Sequence, residues 1–161
     1  MPGTASQHGQ RDYITMHTAI RSRLVGARPP VTMACMSRLA VIAVSDLMFQ
    51  PRIEAVARDL GFETEVADSA VSARDALARR PALVIVDLHA NGLDAETVIR
   101  GAKTMGARVL AFGRHTEPGT LRAARQAGAD LAVARSQLVE ELPDLIERLV
   151  PAAAASDDLQ P

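Results

Sequence analysis

Tryptophan is absent from this 161-residue chain, tyrosine occurs once and phenylalanine three times. A core therefore cannot rest on large rings. It has to be assembled from Val, Leu, Ile and Ala, which the 48% hydrophobic content supplies. Cysteine also occurs once, at Cys35, so no internal disulfide can form and a reducing cytoplasm is the expected setting. No apolar run approaches the ~20 residues of a membrane-spanning helix. The segment RSRLVGARPPV ahead of TMAC (ending at Cys35) lacks the apolar stretch of ~7–15 residues that a lipoprotein signal needs. An excess of either charge is missing too. Eighteen basic residues face nineteen acidic ones, a net charge of −1 that gives no case for nucleic acid or an acidic membrane as partner. The chain has no Gly-x-Gly-x-x-Gly, no Walker loop, no Gly-x-Ser-x-Gly elbow and no metalloprotease helix, so the common nucleotide and hydrolase chemistries find no footing.

What is present is a repeating unit between two tails. Residues 1–36 carry Arg11, Arg21, Arg23 and Arg28 against the single acid Asp12, together with Pro29-Pro30 and no periodicity. This composition predicts a disordered leader. Met33 and Met36 stand just before the first apolar run, and a true start there is preferred to a basic recruiting arm. Residues 151–161, PAAAASDDLQP, read as a second disordered tail, which leaves 37–150 as the folded domain. No output domain is expected after it.

Within that domain the runs LAVIAV (39–44), FETEVA (62–67), ALVIV (82–86), RVLAF (108–112) and DLAVA (130–134) each precede a helix-like segment. The first helix opens at Pro51, buries Ile53, Val56, Ala57 and Leu60, and stops at Gly61. The second follows the capping residues Asp68-Ser69 and ends before Pro81. The third follows Asp94 and turns Val98, Ile99 and Ala102 inward. The fourth opens around Thr116 and Pro118 and closes at Gly128. For the last, Pro143 predicts a short turn over 137–141 and then a separate helix to about Val150. Strand and helix alternating at ~22-residue spacing imply parallel strands joined by crossovers, an α/β fold with a (βα)5 doubly wound sheet. Glu63 and Glu65 alternate with apolar neighbours, which marks strand 2 as an edge and selects the order 2-1-3-4-5. In such a sheet chemistry gathers at the carboxyl ends of the strands, here Val44-Ser45-Asp46, Asp87, Gly113 and Arg135.

This layout, with VIVDLHANGLD and AARQAGADLAVARS carrying the likeness best, resembles the receiver domain of bacterial response regulators over residues 38–150. The resemblance implies a flavodoxin-like fold. It places Asp87 at the phosphoacceptor position, with Asp46 and Asp87 as the candidate Mg²⁺ ligands. It also implies that several parts are gone. Val44 and Ser45 stand where receivers carry an acid pair, and Asp46 falls one place later. Gly113 takes the position of a phosphate-sensing hydroxyl, Ala132 that of a switching aromatic residue, and Arg135-Ser136 that of lysine and proline. One certain and one doubtful carboxylate make a poor magnesium site.

The favoured expectation is a degenerate, chemotaxis-type single-domain receiver that binds a protein partner, a histidine kinase or another signalling component. It is not an enzyme, needs no cofactor, and has Asp87 paired to Arg135. The docking face would be the side of strand 4, helix 4 and strand 5, with Arg114, Thr120, Arg122, Arg125 and Gln126. One alternative is a working phosphoacceptor at Asp87 using Mg²⁺; another is a small-molecule or nucleotide binder on the same sheet. His89 and His115 are expected as loop residues rather than ligands, and FGRHTEPG (112–119) as an ordinary turn. Leu47, Met48 and Phe49 are expected to plug the emptied acid pocket, with an exposed docking patch as the other reading.

Overall fold

The structure, a computed structural model, describes residues 38–151, so the readings made of the leader and of the tail beyond Pro151 fall outside the described residues. Five strands alternate with five helices: β1 (Leu39–Ala43), α1 (Gln50–Asp59), β2 (Glu63–Val66), α2 (Ala70–Ala78), β3 (Leu83–Asp87), α3 (Ala95–Thr104), β4 (Arg108–Gly113), α4 (Pro118–Ala127), β5 (Leu131–Ala134) and α5 (Arg135–Leu149). All neighbouring strands are parallel, and their order is β2-β1-β3-β4-β5, as the edge character of β2 required. Glu63 and Glu65 on that edge share one cation, Arg79. No helix among the described residues is long and apolar enough to cross a membrane.

The period of two along each inner strand divides the core into halves. Ala40, Ile42, Leu83, Ile85, Leu110 and Phe112 pack toward Ile53 and Ala57 of α1 and Leu138, Leu142, Leu145 and Ile146 of α5. Val41, Ala43, Val84, Val86, Val109 and Ala111 pack toward α2, α3 and α4. Burial of each such Val, Leu or Ile stabilises the fold by about 1.5–3 kcal/mol, and Phe112 is the one aromatic ring among these strand residues.

Local signals set most helix limits. Ser69 caps α2 through a reciprocal arrangement with Ser72, whose hydroxyl also bonds Asp68. Pro118 begins α4, and Gly128, with φ of +115°, ends it in a conformation that a side chain would strain. The expected break at Pro143 does not occur: α5 is one helix with the proline inside it. Proline cannot donate to the carbonyl four residues earlier, that of Val139. Arg52 of α1 donates to this oxygen instead, at 3.0 Å, so the carbonyl that the proline leaves behind keeps a partner.

Candidate functional site

The sheet's carboxyl rim brings three of the residues singled out from the sequence into direct contact. Asp87 ends β3 and is 2% exposed, the only buried charged residue among those described. Arg135 opens α5 immediately after β5. A cation at a helix N-terminus opposes the helix dipole, and this one turns to two carboxylates. Its Nη2 donates to Asp87 Oδ2 at 2.9 Å and its Nη1 to Asp46 Oδ2 at 2.8 Å. The expected Asp87–Arg135 pair is present, and Asp46 joins it.

Each acid's second oxygen is also engaged. Asp87 Oδ1 accepts the backbone N–H of His89 at 2.9 Å. Asp46 Oδ1 accepts those of Met48 at 3.0 Å and Phe49 at 3.3 Å, closing the loop that leads into α1. The Met48 amide, then the Arg135 guanidinium, hold the Asp46 carboxyl below its ordinary range. The guanidinium is further seated 4.9 Å from the ring centre of Phe49 and 5.7 Å from that of Phe112.

That loop overturns the expected plug. Leu47 is 81% and Met48 89% exposed, and only Phe49 turns inward, against Phe112. The two amides that bind Asp46 fix the turn, and the turn throws both side chains outward.

Gly113 is buried beneath the β3–α3 loop, and a Cβ there would lie 3.3 Å from both the His89 ring and Leu88. His89 thus fills the space above Gly113. Its Nε2 meets Glu117 at 2.9 Å and its Nδ1 lies 3.9 Å from Asp87 Oδ1. The His89 contact is also the main cause that lowers the Glu117 carboxyl below its ordinary range. His115 is exposed in the following turn. Ala132 is buried in β5, and its carbonyl accepts from Arg125 at 2.6 Å. Ser45 Oγ accepts the Asn91 amide at 3.1 Å and closes the far side of the rim. Over these groups lies a polar cleft of about 340 Å³ that Arg114 also lines. A second hollow of about 390 Å³, between α2 and α3, is apolar and had no sequence signal beyond ordinary helix patterning. The roles of Phe49, Phe112 and Glu117 were likewise missed; only the position of Phe49, three residues after Asp46, hinted at one of them.

The residues do not fit a divalent ion. All four carboxylate oxygens are committed to protein donors, and no group of three or more His, Cys, Asp or Glu among the described residues could hold a metal. Magnesium needs near-octahedral oxygen ligands, and the acids have a guanidinium between them instead.

No protein-family model matches the chain, and no curated protein matches it. Solved structures do. The signal receiver domain of a response regulator from Bermanella marisrubri superposes with a TM-score of 0.63 at 24% identity, over 71% of this chain and 98% of that one. The fold is that of a receiver domain. NtrX from Brucella abortus, solved with ADP, matches with a TM-score of 0.62 at 23% identity over 69% of this chain. The match spans only 26% of the NtrX chain. A Burkholderia pseudomallei response regulator, solved with a phosphorylated aspartic acid, calcium ion and citrate, gives 0.60 at 19% identity, over 70% of this chain and 66% of that one. The receiver fold places Asp87 of β3, Asp46 and Arg135 on one rim.

Proposed function

We propose that this chain is a cytoplasmic, non-enzymatic signalling module of the receiver type that works by binding a protein partner, without phosphoryl transfer to Asp87. One observation carries the reading: a single arginine forks onto both rim acids while Asp87 is 2% exposed. An acceptor carboxylate has to be reached by the donor, and the charge developing on a transferring phosphoryl group needs stabilisation. Here two carboxylates share one guanidinium, so the cluster is already net negative before a phosphoryl group arrives. Gly113 adds no hydroxyl, and Ala132 has no ring to follow one inward.

Output then depends on a surface. The side formed by β4, α4 and β5 exposes Arg114, Arg122, Arg125 and Gln126, a basic face suited to an acidic protein partner. Thr120 contributes less than expected, since its hydroxyl turns to Glu117 at 3.3 Å. The test is incubation with acetyl phosphate, and separately with beryllofluoride, in the presence of Mg²⁺. Intact-mass measurement should find no phosphoryl adduct, and the fluoride complex should leave the melting curve unchanged. An adduct on Asp87, lost in Asp87→Asn, would make the protein a phosphoacceptor and overturn the proposal.

A further inference from the structure

We infer that the Arg135 guanidinium is this protein's own counter-ion, doing for Asp46 and Asp87 what a divalent cation would otherwise have to do, and that its removal uncovers a cation site on the two acids. The inference rests on the functional reading above and gives it a physical cause.

Two carboxylates on one rim, one of them buried, repel each other unless a positive charge lies between them. A free ion would supply that charge only at sufficient concentration. An arginine supplies it permanently, because its guanidinium does not lose its proton in a protein. Three independent constraints hold the group. Its two nitrogens bond different acids at 2.8 and 2.9 Å. The Phe49 and Phe112 rings lie 4.9 and 5.7 Å from its central carbon. Its backbone starts α5 directly after β5. The amides of Met48, Phe49 and His89 take the remaining oxygens, so each acid faces the cation in a fixed orientation. Lysine, with one compact ammonium, could not reproduce the planar fork onto two different side chains.

The consequence is a rim that owes nothing to metal in the native protein and comes to depend on metal once the arginine is gone. The experiment uses the full chain and two readouts. The first follows the electron paramagnetic resonance signal of free Mn²⁺ as protein is added. Wild type should leave the signal unaltered; a loss of free Mn²⁺ that Asp87→Asn abolishes would overturn the inference. The second follows the melting temperature with and without Mg²⁺. Wild type should not shift. Arg135→Ala should melt several degrees lower in chelator and recover part of that loss in millimolar Mg²⁺, and adding Asp46→Asn should remove the recovery. An Arg135→Ala protein that melts like wild type, or that is destabilised but ignores Mg²⁺, also overturns the inference. If Arg135→Ala does not fold, Arg135→Lys replaces it, with a smaller loss and a smaller magnesium response expected. A wild type that binds Mn²⁺ but accepts no phosphoryl group would sink this inference alone. One that is phosphorylated without binding a divalent ion would sink only the functional reading.

Discussion

Asp46 stands one place beyond the acid pair implied by the receiver resemblance, yet it reaches the rim because its own loop bends to meet it. One oxygen takes the Met48 and Phe49 amides and the other takes Arg135. Both sets of donors favour the ionised form, so the folded-state pKa lies below the unfolded value. A depressed carboxyl contributes stability above its unfolded pKa of about 3.9, and that contribution disappears as pH falls through the lower folded value. Asp46→Asn should therefore be less stable than wild type at neutral pH, and the gap should close below about pH 4. Thermal melts of both proteins across that range check this. Glu117, lowered first by His89, remains in the variant, as does Asp130, where Lys103, Val109 and Arg108 outweigh the upward effect of burial. The variant's acid limb should thus be shallower than wild type's, not flat. At this scale the Asp87–Arg135 contact was legible because Asp87 ends one strand and Arg135 directly follows another, and topology fixes their shared rim. The direction of Leu47 and Met48 was not, because hydrophobicity says nothing about which way a short turn points its side chains.

Periodicity decided the elements. Each strand was recovered to within a residue or so, since doubly covered strands are apolar on both faces and helices bury one stripe. The failure was α5, where a local rule about proline met a tertiary contact that no local reading contains. Arg52 lies 87 residues from Val139 in the chain, and only the packing of α1 beside α5 brings them together. The arrangement makes a specific prediction. Pro143 is exposed, so Pro143→Ala restores an N–H to the Val139 carbonyl without disturbing the core. Proline costs a helix interior about 3 kcal/mol relative to alanine, less what its rigidity gains by restricting the unfolded chain. Urea unfolding should show Pro143→Ala to be more stable by about 1–2 kcal/mol. Arg52→Ala should cost about 0.5–1 kcal/mol in the native background and less in the Pro143→Ala background, since the carbonyl then has a helical donor. Equal costs in the two backgrounds would mean that Arg52 does not compensate the proline.

The ends of the fold are joined by one side chain whose importance appears only when the molecule is taken whole. Arg38 precedes β1. Its Nη2 donates to the Val150 carbonyl at 2.9 Å, its Nη1 to that of Leu60 at 3.4 Å, and its guanidinium lies 4.4 Å from the Phe62 ring centre. Leu60 caps the carboxyl end of α1 and Val150 that of α5. A single cation thus faces the negative ends of two helix dipoles, which lie on the same face of the sheet, and fastens the start of the domain to its close. From the sequence Arg38 was only a charge before a strand, because pairing it with Val150 requires knowing that α1 and α5 share a face. Arg38→Ala removes these hydrogen bonds, a third from Nη2 to the Pro151 carbonyl at 3.4 Å, and the ring contact, and the domain should lose about 1–2 kcal/mol in urea unfolding. Arg38→Met keeps an unbranched stem over Phe62 without the charge, and should recover only a minor part. Hydrogen exchange would localise the effect: the last turns of α1 and α5 should both exchange faster in Arg38→Ala, while α3, packed on the opposite face, keeps its protection. Loosening of one helix end alone would mean that Arg38 braces that helix and not the pair.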